Sequence, residues 1–153
     1  MKAIALLFRT NQDSAALIAR VMLGIVMFAH GAQKTLGWFG GYGFSGTMNH
    51  FTSNMHIPAV FAFLAIMAES VGALALIVGV ASRVAAFGIA VVMVVAVATG
   101  HAANGFFMNW FGNQKGEGFE YHLLALALSL IVIIHGGGRA SVDAVVARNL
   151  GKK

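Results

Sequence analysis

The sequence predicts an all-α polytopic membrane protein, a four-transmembrane-helix bundle with both termini in the cytoplasm (N-in/C-in). Hydrophobic residues make up 59% of the 153 residues and charged residues only 10%, whereas a soluble domain usually carries about a quarter charged residues. Four apolar runs are long enough to approach or cross a hydrocarbon core of about 30 Å. The basic residues are also shared unequally between the two sides of such a bundle.

The four apolar runs are predicted to be helices because only helices or closed barrels satisfy the backbone in lipid, and the runs show no strand-like alternation. The fourth run is at the short end of the range for a span. Short interfacial segments are expected at 1–10 and 44–57, with a cytoplasmic tail at 139–153. The chain is therefore a single transmembrane domain, 1–153. Its spans are predicted at approximately 15–36, 58–81, 84–103 and 119–135.

The orientation follows from the excess of basic residues that cytoplasmic loops carry. With both termini inside, eight of the ten Lys and Arg residues lie on the cytoplasmic side, and only Lys34 and Lys115 lie outside. The inner eight are Lys2, Arg9, Arg20, Arg83, Arg139, Arg148, Lys152 and Lys153.

Composition also excludes several functions. The net charge of +5 does not indicate nucleic-acid binding, because the basic residues are not clustered with aromatics on a polar surface. The chain has no cysteine, which excludes thiolate nucleophiles, disulfide exchange, iron–sulfur clusters and covalently attached haem.

Local signals mark where the helices begin and end. Asp13 and Ser14 are the candidate caps for the first span, which is predicted to end in the glycine-rich stretch 37–43. That stretch follows a helix and no strand precedes it, so it is interpreted as a turn and not as a phosphate loop. Pro58 suits the start of the second span. Gly136 ends the fourth span, and Ser141 is a plausible cap for a helix in the tail.

Polar side chains occur in all four spans, and helix rise places them in the same half of the bundle. At 1.5 Å per residue, His30 lies about 10 Å and Glu69 about 16 Å below the outer ends of their helices. His101 and Glu120 each lie within about 5 Å of the outer end of their own helix. Lys34 follows His30 by one turn. Ionisable groups in hydrocarbon are costly unless they have a partner or a task. We therefore predict that these five residues form one cofactor-binding site in the outer half, with His30, Lys34 and Glu69 as its catalytic groups.

Structural explanations compete with this hypothesis. Lys34 can extend to the outer surface, and Glu69 can be a protonated hydrogen-bonding group. His122 points about 200° away from Glu120 on a helix of 3.6 residues per turn, so it is placed outside the site. The other histidines outside the site, in loops or at an interface, are His50, His56 and His135.

Metal chemistry is a further alternative. His30 and His101 lie on different spans and could ligate a b-type haem axially, or bind a transition metal together with Glu69 and Glu120. A copper–thioether relay is not favoured, because the methionines form no clean helical stripe. Those considered are Met22, Met27, Met48, Met55, Met67, Met93 and Met108.

Several motifs, which fall in the same order over nearly the whole chain, resemble the DoxX family. They are Arg20, Leu23, Gly24, Phe28, His30, Gly31 and Lys34; the stretch 39–43; Pro58 to Glu69 and Gly72; Gly79 and Arg83; 118–121; and 136–143. The resemblance implies a small four-helix protein of the bacterial inner membrane. Relatives, including the DoxD subunit, are linked to thiosulfate:quinone oxidoreduction and to membrane complexes that respond to oxidative and sulfur stress.

The residues and the resemblance together give three hypotheses of function. The first is a quinone-linked redox subunit, in which Lys34 holds a quinone oxygen or an anion, Glu69 exchanges protons and the histidines donate hydrogen bonds. The second is a non-catalytic scaffold that docks a soluble redox or stress enzyme or a membrane subunit. The third is a protein that binds a metal, haem or small molecule. The lipid bilayer is the expected partner in each, and homo-oligomers are left open.

Overall fold

The computed structural model describes residues 8–150, and within that range the only regular elements are helices and helical turns. The all-α class is therefore confirmed for this part of the chain. Most of the predicted interfacial segment at 1–10 lies outside the described residues. The same holds for Lys2, Lys152 and Lys153, which contributed to the predicted orientation.

Six α-helices follow one another between residues 14 and 150: α1 Ser14–Leu36, α2 Gly43–Asn49, α3 Ala59–Val78, α4 Ser82–Ala96, α5 Glu120–His135 and α6 Val142–Leu150. A π-helical turn, His50–Asn54, continues α2. A second π-helical turn, Val97–His101, and a 3-10 turn, Ala102–Asn104, continue α4.

The helix ends agree with the signals in the sequence. The Asp13 carboxylate accepts a hydrogen bond from the Ala15 amide at 2.6 Å, which caps α1. Gly37, with φ 72°, ends α1 in the left-handed region that glycine adopts without strain. Pro58 is the residue directly before α3. The predicted cap of α6 is present as well, because the Ser141 hydroxyl accepts a hydrogen bond from the Ala144 amide at 3.1 Å.

The four long helices form a closed ring in which α1 packs on α3, α3 on α4, α4 on α5, and α5 on α1. Three segments are long and apolar enough to cross a membrane: Ser14–Leu36, Ala59–Val78 and Ser82–Asn104. The fourth helix, Glu120–His135, has 16 residues, which at 1.5 Å per residue gives about 24 Å. It is apolar but shorter than the other three.

One end of the bundle, which we call the arginine end, holds Arg9, Arg20, Arg83, Arg139 and Arg148 near the start of α1, the α3–α4 turn and the end of α5. Arg20 is only 1% exposed. Its guanidinium donates hydrogen bonds to the backbone oxygens of Gly137 (2.7 Å), Ile77 (2.8 Å), Ala140 (3.2 Å) and Leu76. The sequence interpretation treated Arg20 only as a charge at the helix end. In the structure it joins α1 to the end of α3 and to the turn that follows α5.

Residues 139–150 pack onto the arginine end and do not extend away from the bundle. Asp143 is 1% exposed. Its carboxylate accepts hydrogen bonds from the amides of Ala81 at 2.7 Å and Ser82 at 2.9 Å, at the start of α4. The segment predicted as a tail therefore caps a helix of the bundle.

The opposite end, which we call the loop end, carries residues 37–58 and 105–119. The glycine-rich stretch there contains a 3-10 turn, Trp38–Gly40, as the turn prediction requires. Exposed aromatic side chains occur on both loops, among them Trp38 and Trp110. They fit the aromatic belt of a membrane surface.

Candidate functional site

The first wall of the site is the face of α1 that carries Met27, His30 and Lys34. Steps of three and four residues place these side chains on one side of a helix. Met27 is buried, and His30 and Lys34 are half-buried. This part of α1 therefore points polar groups into the bundle.

Lys34 forms an ion pair with Glu69 of α3, from the ammonium nitrogen to Oε2. The Glu69 side chain is 6% exposed and that of Lys34 is 22% exposed. The pair can form because Gly31 lets α1 and α3 approach closely. A Cβ at Gly31 would lie 2.6 Å from the Ser70 Cα and would also overlap the Glu69 carbonyl. Two residues that the sequence assigned to one site are thus in direct contact.

The ion pair lines a cavity of about 260 Å³ near the loop end. Of the five predicted site residues, four line this cavity: His30, Lys34, Glu69 and His101. The other lining residues are Met27, Met93, Met108, Glu117, Tyr121 and His122.

Glu120, the fifth predicted residue, lies outside the cavity lining. Its Oε1 accepts hydrogen bonds from the Met108 amide and from the Trp110 indole nitrogen, both at 2.9 Å. Glu120 therefore fastens the 105–119 loop to the start of α5. Glu117, from the same loop, is the carboxylate that lines the cavity in its place.

His122, which the sequence interpretation placed outside the site, lines the cavity and is 5% exposed. As the helical geometry predicts, His122 and Glu120 lie on different sides of α5. The side of α5 that faces the cavity was predicted to be that of Glu120, but in the structure it is that of His122. No helical pattern alone could have corrected this, since both faces of the helix carry apolar residues.

His101 and His122 are neighbours in the lining of the cavity, with ring centroids 4.1 Å apart and ring planes tilted by 46°. The His101 Nδ1 is 2.8 Å from the Glu117 carbonyl oxygen. A carbonyl oxygen only accepts, so Nδ1 carries the proton and Nε2 presents a lone pair when the ring is neutral. The His122 Nδ1 is buried and has no hydrogen-bond partner among the described residues.

Tyr121 completes the polar wall next to His30, with ring centroids 5.7 Å apart. Its hydroxyl is also buried without a partner within residues 8–150. A buried phenol normally hydrogen-bonds. Two polar atoms at this cavity, the Tyr121 hydroxyl and the His122 Nδ1, are thus left for a ligand or water to satisfy.

Three of the methionines line the same cavity: Met27 on α1, Met93 on α4 and Met108 in the 105–119 loop. The sequence interpretation looked for a stripe along one helix and found none. Thioethers from three separate segments converge only through the tertiary fold.

Comparison with known proteins gives one family. No curated protein and no solved structure matches the chain significantly. Residues 15–102, which include α1, α3 and α4 with His30, Lys34, Glu69 and His101, match the DoxX family. Because that match covers more than half of the sequence, the chain is a membrane protein that belongs to the DoxX family.

Proposed function

We propose that the protein crosses a bacterial inner membrane four times, with the arginine end in the cytoplasm and the loop end in the periplasm. The charge distribution supports this orientation, since the five arginines share one end while Lys34 and Lys115 belong to the other. The short α5 is included as a span because it closes the ring between α1 and α4. Loops at both of its ends extend the segment toward the membrane surfaces.

We further propose that the cavity binds the headgroup of a quinone and that the protein is a quinone-linked redox subunit. The observation that carries this proposal is the Lys34–Glu69 ion pair, in which a buried carboxylate and a half-buried ammonium group line a cavity inside an apolar bundle. Ionisable residues at such depth are functional by default. A buried pair is also weak evidence for a purely stabilising role, because desolvation offsets the attraction.

The donors around the cavity suit the two carbonyl oxygens of a quinone ring. Lys34 can donate to one oxygen, and the Tyr121 hydroxyl, which lacks a partner, can donate to another. A volume of about 260 Å³ lies just below the range of roughly 300–1,000 Å³ typical of ligand pockets. It favours a single ring over a haem macrocycle. The isoprenoid tail would extend between helices into lipid.

A bound quinone supplies a carrier for two electrons and two protons. The residues of this chain hold and orient the ring, and Glu69 exchanges protons at the wall of the cavity. Lys34 donates a hydrogen bond to Glu69 Oε2, which holds the carboxylate at the wall of the cavity. The chain contains no cysteine, so electrons are proposed to come from a partner enzyme.

The test is to measure the quinone that copurifies with the protein in mild detergent, by chromatography of a lipid extract. We expect the wild-type protein to retain close to one quinone per chain and Lys34→Gln to lose at least nine-tenths of it. Lys115→Gln is the matched control, because Lys115 is exposed on the loop end and does not line the cavity. Glu69→Gln should retain the ring but lose quinone reduction by the partner.

Equal quinone in Lys34→Gln and wild type would contradict the proposed site. A wild-type preparation with no quinone, but with a soluble redox enzyme bound to it, would favour the scaffold hypothesis instead.

A further inference from the structure

The two imidazoles at the loop end of the cavity have the features of metal ligands. Metal-binding histidines usually donate their second ring N–H to a backbone carbonyl or carboxylate, which fixes the tautomer. His101 does this through Nδ1 and the Glu117 carbonyl at 2.8 Å. Its Nε2 is left as a lone-pair donor. The neighbouring His122 Nδ1 is buried, lacks a partner among residues 8–150, and belongs to a side chain that is 5% exposed.

The remaining donors on this cavity decide which metal suits it. Within the described residues, no group of three or more His, Asp or Glu side chains is placed to hold a metal ion. A zinc site of the usual kind, with three or four nitrogen, oxygen or thiolate ligands, is therefore not formed here. The same cavity is also lined by three thioether donors, those of Met27, Met93 and Met108.

Thioethers select soft cations, of which Cu(I) is the biological example, and imidazole is a good ligand for copper. Imidazole and thioether ligands carry no charge, so they do not neutralise the charge of a bound ion. Such a site therefore suits a monovalent ion better than a divalent one. The two carboxylates that line the cavity do not alter this balance. Glu69 is already paired with Lys34, and the Glu117 carboxylate accepts a hydrogen bond from the Asn109 amide at 2.7 Å.

We propose that His101 and His122, together with a thioether from Met93 or Met108, form a binding site for Cu(I). The site does not depend on the quinone proposal, since its ligands are other side chains of the cavity than Lys34 and Glu69. Because both ligands would occupy one cavity of about 260 Å³, Cu(I) and a quinone headgroup are expected to exclude each other.

The test is a competition titration of the full-length protein in detergent, under reducing conditions, against a chromophoric Cu(I) chelator. We expect one Cu(I) per wild-type chain once bound quinone has been extracted from the protein. His101→Gln and the double variant Met93→Leu/Met108→Leu should each weaken Cu(I) binding at least tenfold. The matched controls are His50→Gln and Met67→Leu, which replace the same residue types outside this cavity and should bind Cu(I) as wild type does.

X-ray absorption at the copper edge provides a second readout for variants that fold poorly, because it is measured on the wild-type protein. We expect both nitrogen and sulfur neighbours. Wild-type protein that binds no Cu(I), or binds it equally well in His101→Gln, would refute the proposal. Copper coordinated only by nitrogen and oxygen would refute the role of the thioethers. Loss of Cu(I) binding in the quinone-site variant Lys34→Gln is not expected, so the two proposals fail separately.

Discussion

Replacing Arg20 tests whether the arginine end is held together by one side chain. The guanidinium donates to four backbone oxygens that have no other hydrogen-bond donor among the described residues, and two of these bonds, to Gly137 and Leu76, are fully buried. Leu76 and Ile77 are at the end of α3, where helical carbonyls lack amide partners. In Arg20→Gln most of these oxygens lose their donor.

The expected loss can be estimated from the burial of these bonds. A buried polar group left unpaired costs about 1–3 kcal/mol. Counting the two fully buried oxygens alone, Arg20→Gln should destabilise the fold by about 4 kcal/mol. For a chain of this size, each kcal/mol shifts the Tm by about 2–4 °C, so a drop of about 10 °C is expected.

The measurement is thermal unfolding in detergent, followed by tryptophan fluorescence. Arg148→Gln is the control, because Arg148 is exposed and its Nε donates only to the Ala144 carbonyl, one turn earlier in the same helix. Its Tm should stay within about 2 °C of wild type, as for an ordinary surface substitution. If Arg20→Gln also melted within 2 °C of wild type, the bonds from Arg20 would contribute nothing measurable and the reasoning would be wrong.

Three further predictions concern other parts of the bundle. Gly31→Ala should destabilise the protein by about 1–3 kcal/mol because the new methyl group meets the α3 backbone. The control is Gly72→Ala, in which the nearest atom to the added Cβ is 3.8 Å away. This variant should melt no lower than wild type in the same fluorescence assay. Asp143→Ala should cost about 1 kcal/mol by removing the cap of α4, and an unchanged denaturation midpoint would disprove that role. A membrane-impermeant thiol reagent should label Asn113→Cys from the periplasm only, and labelling from the cytoplasm alone would reverse the proposed orientation.

The positions of the long helices were predictable because each apolar run is bounded by a residue that stops or starts a helix. Gly37, Pro58 and Gly136 are examples, and α1, α3 and α5 begin or end within one residue of them. The grouping of His30, Lys34, Glu69 and His101 was predictable for a different reason. Helix rise gives the depth of each residue in the membrane. Polar groups at the same depth in a small bundle avoid lipid by facing the interior, where they lie close to one another.

The sequence could not predict how each helix is rotated about its own axis, and therefore which of its faces points into the bundle. In a soluble protein the polar face identifies the outside, but a helix that faces lipid is apolar on both sides. The choice between Glu120 and His122 therefore depended on how α5 packs against α1 and α4. The thioether cluster was missed for a related reason, since Met27, Met93 and Met108 come from three segments and show no common period.

The contacts of Arg20 were also beyond prediction, because they join residues more than 50 positions apart. A basic residue near the start of a span ordinarily indicates which side faces the cytoplasm. Here it is also a buried hydrogen-bond donor, and only the packing of the segment after α5 shows this.

The bundle between the ion pair and the arginine end is filled by close-packed aliphatic side chains. Leu23, Leu76, Ile89 and Val132 are each at most 1% exposed. Because these side chains leave no path for water toward the arginine end, a proton exchanged by Glu69, as proposed above, would enter and leave the cavity from the loop end. We therefore expect no proton transfer across the bilayer, and sealed vesicles containing the protein should keep an imposed pH gradient as long as empty ones do.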